Sequence, residues 1–293
     1  MKKRKQALKH KFKLNLILNK KRIFKGEFLG RTICIASGKG GTGKTTMTAN
    51  FGIALAEKSL NVLLIDADVA MANLSLLLGM QASPITLHNV LLGEASTGDA
   101  IYDGPKGVKF IPSGLSLQSY RRVDPEKLKD IIEPLKSQFD FILVDAPAGV
   151  DKTVLAAINA CDELLIVTDP TSPAIADAFK TKMLAQRLGK KPIGVIVNFV
   201  RGEKGEITNL DIMKMLELPI YGNVPEDTDV RRSFMQEKVA PIMVWKPNAK
   251  AALAMKQAAY KLASLKEEAV KQRGESFITK LLNKLKSLFK KKK

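Results

Sequence analysis

The chain has 293 residues, with 48 Lys and Arg against 29 Asp and Glu, a formal charge of +19, and a hydrophobic content of 45% that is enough for a proper globular core. Its two cysteines are too few and too isolated for a zinc site, and no stretch reaches the roughly 18 apolar residues of a membrane span. Residues 1–31 hold 12 Lys/Arg and one acid, residues 246–293 hold 14 and three, and the 22 bases and 25 acids between them leave a slightly acidic middle. The basic character therefore belongs to two tails, of a kind that meets anionic polymers or lipids, and not to a groove on the domain.

The basic arm, residues 1–31, comes first. Lys2-Lys3-Arg4-Lys5 and Lys20-Lys21-Arg22 bracket Phe12 to Leu18, a segment too short and mixed to read as helix or strand. A second lipid contact, a partner-binding arm and a disordered basic extension all fit it. It lacks the sustained apolar region and small-residue cleavage site of a secretory leader, and a cytoplasmic protein is expected.

Thr32 to Ala36 is an apolar run, and Ser37-Gly38-Lys39-Gly40-Gly41-Thr42-Gly43-Lys44-Thr45-Thr46 follows, leading into a helical pattern from Thr45 to Lys58. Gly38 to Thr45 fits G-x-x-x-x-G-K-[ST] in the strand–loop–helix setting that the motif requires. The glycines let backbone N–H groups curl around phosphate oxygens, Lys44 neutralises the outer phosphates, and the Thr45 hydroxyl is placed to ligate Mg²⁺. The loop should bind a nucleoside triphosphate. Lys39 is surplus to that geometry: it is either a solvated surface charge or a group that reaches a phosphate held by a partner.

Further apolar runs recur at Val62 to Ile65, Val108 to Ile111, Phe141 to Val144, Leu164 to Thr168, Ile193 to Asn198 and Ile220 to Val224. Helical patterns lie between them at Pro125 to Gln138, Ala174 to Leu188 and Glu206 to Leu216, and a long one runs from Ala249 to Arg273. Alternation of this kind predicts an α/β fold with a doubly wound, mostly parallel sheet flanked by helices, ligands sitting at the C-terminal strand ends. Cys34, within the first strand, and Cys161, at a helix end, read as small buried hydrophobes. His10 and His88 neighbour no motif and read as structural or exposed.

The second strand runs into Asp66-Ala67-Asp68 and the fourth into Asp145-Ala146-Pro147-Ala148-Gly149. Alone, each Asp is as readily a helix cap or turn residue; beside the phosphate loop, both segments put carboxylates on the phosphate side of the sheet. Asn198 ends another strand, where its amide offers a donor and an acceptor to a base edge, and Val224-Pro225-Glu226-Asp227 follows the next. A turn-forming Asn and a simple loop are the alternatives there. No Asn-Lys-x-Asp guanine motif is present, so ATP is preferred to GTP.

Gly38-Lys39-Gly40-Gly41-Thr42-Gly43-Lys44-Thr45 resembles the deviant Walker A loop of the MinD/ParA ATPases, in which the early lysine crosses a dimer interface to the other subunit's ATP. The segments at Asp66–Leu74 and Asp145–Gly149 resemble the switch regions of the MinD group, and Met71-Ala72-Asn73-Leu74 and Val230-Arg231-Arg232-Ser233 are most similar to archaeal MinD-like proteins and to FlhG regulators of flagellar number and placement. The resemblance covers about 32–262 within a domain drawn at 32–272. It implies ATP and Mg²⁺ as ligands, an ATP-dependent homodimer, slow partner-stimulated hydrolysis, Asp145 holding Mg²⁺ through a water, and Asp68 orienting the attacking water and touching the magnesium shell. Asp66 is expected to shape the strand end and to contact Lys44 or that shell. It also implies adenine contacts from Asn198 and from Pro225, Glu226 and Asp227. Neither cysteine has the context of the cluster ligands in the related nitrogenase iron protein.

After Gly274, Phe277, Ile278, Leu281, Leu282, Leu285, Leu288 and Phe289 recur at helical spacing with Lys280, Lys284 and Lys286 off the stripe. A basic amphipathic helix over residues 275–293 suits an anionic bilayer surface, and MinD proteins end in such a helix. Docking on the protein's own domain or a partner helix, and nucleic-acid binding, remain open for it. The expected protein is a MinD-like ATPase, peripheral on the inner face of the cell membrane, that positions a division or other polar assembly with an unidentified protein activator or cargo. A ParA-like partition ATPase riding on DNA, or an FlhG-like regulator, is the alternative; the acidic middle weighs against DNA.

Overall fold

The computed structural model describes residues 29–68, 73–80, 83–114, 123–149 and 151–264. Most of the N-terminal arm and the expected C-terminal amphipathic helix lie outside the described residues. The strands are β1 (Arg31–Ala36), β2 (Val62–Asp66), β3 (Tyr102–Asp103), β4 (Lys109–Ile111), β5 (Phe141–Asp145), β6 (Glu163–Thr168), β7 (Lys191–Val200) and β8 (Ile220–Pro225). They form one sheet in the order β3-β4-β2-β5-β1-β6-β7-β8. Every adjacent pair is parallel except β3 with β4. The chain winds outward from β1 in both directions, so β1 lies between β5 and β6 at the place where such sheets bind ligands.

The apolar runs explain this architecture. Along β1, Ile33 and Ile35 point into one core while Cys34 and Ala36 point into the other. β2 and β5 repeat the pattern, with Leu64 and Leu143 on one side and Leu63 and Ile142 on the other. Strands buried on both faces need no polar alternation, and so they read as continuous apolar runs. One face is covered by α1 (Lys44–Glu57), α9 (Ile242–Trp245) and α10 (residues 250–264); the other by α4 (Leu128–Ile132), α5 (Lys152–Ala160), α6 (Ser172–Arg187) and α7 (Asn209–Leu216). Short helices α2 (Leu74–Leu77), α3 (Leu87–Leu91) and α8 (Thr228–Ser233) lie in the connections. Cys34 and Cys161 are both free and buried.

Helix α1 packs against Leu64 of the sheet at Gly52. A Cβ on Gly52 would stand 2.6 Å from Leu64 Cδ2, so a larger residue would force either that side chain or the helix to shift. Its buried Asn50 ties it down at a second point, donating to Thr46 O at 2.8 Å and accepting from Met243 N at 3.0 Å. The helix that carries the end of the phosphate loop is thus fixed to β2 and to α9.

β7 runs from Lys191 to Val200, so Asn198, expected at the strand end, lies inside it, and three further departures from the sequence pattern have local reasons. The segment read as one helix over Pro125 to Gln138 is 3₁₀ at Pro125–Lys127, α at α4 and 3₁₀ again at Glu133–Ser137, because Pro134 has no N–H to continue an α ladder. The helix expected from Glu206 starts at Asn209. Thr208 caps it through Asp211 N, while the Glu206 carboxylate turns back to Arg201 N and Gly202 N at 2.8 and 3.0 Å. β3 is a two-residue antiparallel edge strand that no run of the sequence marks.

Candidate functional site

The loop from Ser37 to Gly43 joins β1 to α1. Gly43 adopts φ +93°, which a side chain strains to reach, and a Cβ there would stand 2.5 Å from Asn198 Nδ2. α1 begins directly after it with no side-chain cap, so its first N–H groups face the loop as anion donors. Ser37 Oγ donates to Lys39 O at 2.7 Å and accepts from Lys44 Nζ at 3.0 Å, holding that lysine across the loop. Thr42 is buried, and its Oγ1 has no hydrogen-bond partner.

Two carboxylates stand side by side behind Lys44. Asp66 and Asp145 are register partners at the ends of β2 and β5, and both are buried. Burial pushes Asp145 up to about 6, against the hydrogen bond from Thr45, the charge of Lys44 and the hydroxyl of Thr48. Burial, reinforced by the charge of Asp145, pushes Asp66 well above the usual carboxylate range. Lys44 is pushed down by its own burial, with Asp145 and Asp68 opposing. Thr48 Oγ1 reaches both Lys44 O at 3.0 Å and Asp145 Oδ1 at 3.2 Å, one turn along α1 from the loop.

Asp66 shapes the strand end as expected, but among the described residues no contact of it with Lys44 is found. Its oxygens accept from Asp68 N at 3.1 Å and from Leu74 N at 3.2 Å, so it anchors both sides of the segment that carries Asp68, and the charges bearing on Lys44 come from Asp145 and Asp68. A strand-end carboxylate satisfies nearby orphan N–H groups before it reaches across the site.

A cavity of about 880 Å³ opens over this cluster, lined by Gly40, Gly41, Gly43, Lys44, Thr45, Thr46 and Asp68 together with Asn198, Phe199, Pro225, Glu226 and Asp227. The loop and the two segments expected at the base thus line one cavity. Asn198 donates to Thr42 O at 2.8 Å, so one of its amide N–H groups braces the phosphate loop instead of pointing into the cavity. Glu226 donates its N–H to Val200 O at 3.0 Å and pairs its carboxylate with Arg201. The Asp227 carboxylate caps α8 through Asp229 N at 2.9 Å and holds Ala251 N at 3.1 Å, organising the wall from behind.

Lys39 reaches away from this cavity. Its Nζ lies 2.7 Å from Asp169, just past the end of β6, and it is neither fully solvated nor against the subunit's own phosphate end. Ser37, Thr48 and Asp169 are site residues that motif spacing misses. Asp169 carries the one signal available, because it follows an apolar strand as Asp66 and Asp145 end theirs. His88 is buried and accepts from Gly114 N at 2.8 Å, a structural role away from the cavity.

The oxygens of Thr45, Asp68 and Asp145 fit Mg²⁺, a hard cation that takes few protein ligands beside phosphate and water. The two strand-end carboxylates crowd each other behind a single lysine, and a divalent ion would relieve that excess of negative charge. Among the described residues no group of three or more His, Cys, Asp or Glu forms a self-sufficient metal centre.

Residues 33–240 match the family model of the CobQ/CobB/MinD/ParA nucleotide binding domain. An uncharacterized ATP-binding protein of Methanocaldococcus jannaschii is 44% identical over 251 residues, 85% of this chain and 94% of the relative. Among solved structures, the cell division ATPase MinD of Pyrococcus furiosus superposes with a TM-score of 0.77 at 36% identity, covering 81% of this chain and 100% of that one. The septum site-determining protein MinD of Pyrococcus horikoshii, complexed with Mg-ADP, gives the same TM-score and identity over 81% and 97%. Family model, sequence identity and fold agree, and the chain belongs to the MinD/ParA family of nucleotide-binding domains.

Proposed function

We propose that the protein is an ATP-driven switch: it binds ATP with Mg²⁺ in the cavity, pairs with a second copy, and hydrolyses ATP slowly under the control of a membrane or protein partner. The observation that carries this reading is the division of labour between two lysines. Lys44 is held inside the loop by Ser37, while Lys39 leaves the same loop to pair with Asp169 of its own subunit. The cavity, about 880 Å³, is lined both by the phosphate loop at Gly40–Thr46 and by Asn198 and Pro225, the residues read as base contacts. The relative complexed with Mg-ADP supports a magnesium nucleotide as its occupant.

In this reading Lys44, the loop amides and the start of α1 neutralise the phosphates. Thr45, Asp68 and Asp145 hold Mg²⁺, which supplies charge neutralisation on the phosphate oxygens, and Asp68 orients the attacking water. Phosphoryl transfer asks the protein mainly for positioning and charge, so no strong base is required. The domain spans 32–272, and residues 275–293 attach it to an anionic membrane through the stripe from Phe277 to Phe289. One short amphipathic helix holds weakly; two in a dimer act together through effective concentration, so pairing and release set membrane residence. The task that fits is spatial positioning of a cell-division or other polar assembly from the cytoplasmic face.

Co-sedimentation of the full chain with vesicles containing anionic lipid tests it. Pelleting is expected with ATP, to fall with ADP, and to vanish for a chain ending at Gly274; pelleting that survives that truncation contradicts the membrane role. ATP-dependent binding to duplex DNA that survives loss of both tails would favour a DNA-partitioning role instead.

A further inference from the structure

Four described non-glycine residues have positive φ: Ser59, Lys106, Phe199 and Glu217. Ser59 lies in the turn after α1, Lys106 in a 3₁₀ turn, and Glu217 caps the end of α7. Phe199 alone lies within a strand, at φ +57°, a conformation that a bulky side chain adopts only under constraint. The distortion coincides with the register shift between Val197 and Val200 where β7 pairs with β8. Strain of this kind persists where the surrounding structure enforces it, and it concentrates at ligand sites.

The ring is not there to fill the core. Phe199 is 36% exposed and lines the cavity between Asn198 and Pro225. Its Cζ comes within 4.0 Å of the point where a Cβ on Gly43 would stand. An aromatic ring thus lines the cavity next to the end of the phosphate loop, beside the Asn198 amide that braces it.

We propose that Phe199 is a base-positioning residue, its ring forming the apolar platform against which the base of the bound nucleotide packs. This rests on the reading of the cavity as a nucleotide site. Every nucleobase has a π face, so a platform of this kind adds affinity without choosing between adenine and guanine, a choice left to groups at the base edge such as Asn198. The phosphates gain nothing from it.

Calorimetric titration of the full-length protein with Mg-ATP, Mg-GTP and magnesium tripolyphosphate tests the assignment. Phe199→Ala should weaken ATP by about tenfold or more, as loss of a base-stacking aromatic does, and weaken GTP by the same factor. Tripolyphosphate should stay within about twofold of wild type, and Phe199→Tyr should restore ATP binding. Phe199→Gly should melt at a higher temperature than Phe199→Ala, because it relieves the positive φ, yet bind ATP as weakly as the Ala variant. A merely structural phenylalanine would lose stability and all ligands together. An Ala variant with wild-type ATP affinity, or one that loses tripolyphosphate in proportion, overturns the proposal. Wild-type protein that binds tripolyphosphate but not ATP overturns the nucleotide reading along with it.

Discussion

Lys39 Nζ lies 2.7 Å from the carboxylate of Asp169, so the extra lysine of the phosphate loop is paired within its own subunit. Burial works to raise Asp169, but the hydrogen bonds from Lys39 and Thr171 outweigh it and hold the carboxyl below its usual range. With Lys39 39% exposed, the pair is worth at most about 1 kcal/mol, a contact that a triphosphate on a second subunit can displace. Asp169→Asn should therefore strengthen ATP-dependent pairing by up to about fivefold. Lys39→Ala should abolish pairing and membrane recruitment while the subunit's own ATP affinity stays largely intact. Light scattering over a concentration series reads both, and an Asp169→Asn variant that pairs more weakly than wild type would place Asp169 in the interface itself.

Asp68 lines the cavity at the phosphate end and is carried by a segment anchored on both sides to Asp66. Its removal takes away a positioned carboxylate but none of the loop donors. Asp68→Ala should keep Mg-ATP binding within a few-fold and lower turnover by about 100-fold or more, on the scale of losing a group that acts in the transition state. Phosphate release under saturating ATP measures it, and normal turnover would remove Asp68 from catalysis.

Gly43→Ala should damage the loop through two separate causes. The residue sits at φ +93°, and its new Cβ would meet Asn198 Nδ2 at 2.5 Å, dislodging the bond from Asn198 to Thr42 O. Nucleotide binding should be lost, with a fall in stability of about 1–3 kcal/mol from strain and the broken buried hydrogen bond. Asn198→Ala should reproduce the lost brace without the strain, so its melting temperature should fall less. Equal losses in the two variants would show that the backbone conformation contributes nothing.

His88 gives the fold a measurable pH dependence. Its Nδ1 accepts from Gly114 N, so the ring is neutral in the folded protein, and burial lowers its pKa from 6.5. The unfolded chain takes up the proton at higher pH than the folded one does. The stability contributed is complete above pH 6.5 and is lost as the pH falls through the lower folded value. His88→Gln keeps an acceptor for Gly114 N but cannot titrate, so its melting temperature should change less between pH 7.5 and about 5 than that of wild type. An unchanged slope would assign the acid sensitivity elsewhere.

The phosphate loop is legible in the sequence because its glycines and lysine must stand at fixed spacing, and the sheet is legible because strands buried on both faces read as unbroken apolar runs. What the sequence leaves dark depends on neighbours distant in the chain. Asp169 has meaning only because β6 lies beside β1, and Thr48 only because the end of β5 faces α1. The donor that Asn198 gives to Thr42 spans 156 residues, and nothing local to Asn198 announces it. β3 is two residues long and carries no period. The stripe from Phe277 to Phe289 is plain as a pattern, but a pattern alone does not choose between lipid, partner and nucleic acid.

Sedimentation velocity of Asp68→Ala, with and without Lys39→Ala in the same chain, tests the central claim most directly. With Mg-ATP the single variant should sediment as a dimer, with Mg-ADP as a monomer, and the double variant as a monomer with either. A dimer that forms with ATP but does not need Lys39, or a monomer under every condition, would contradict the account.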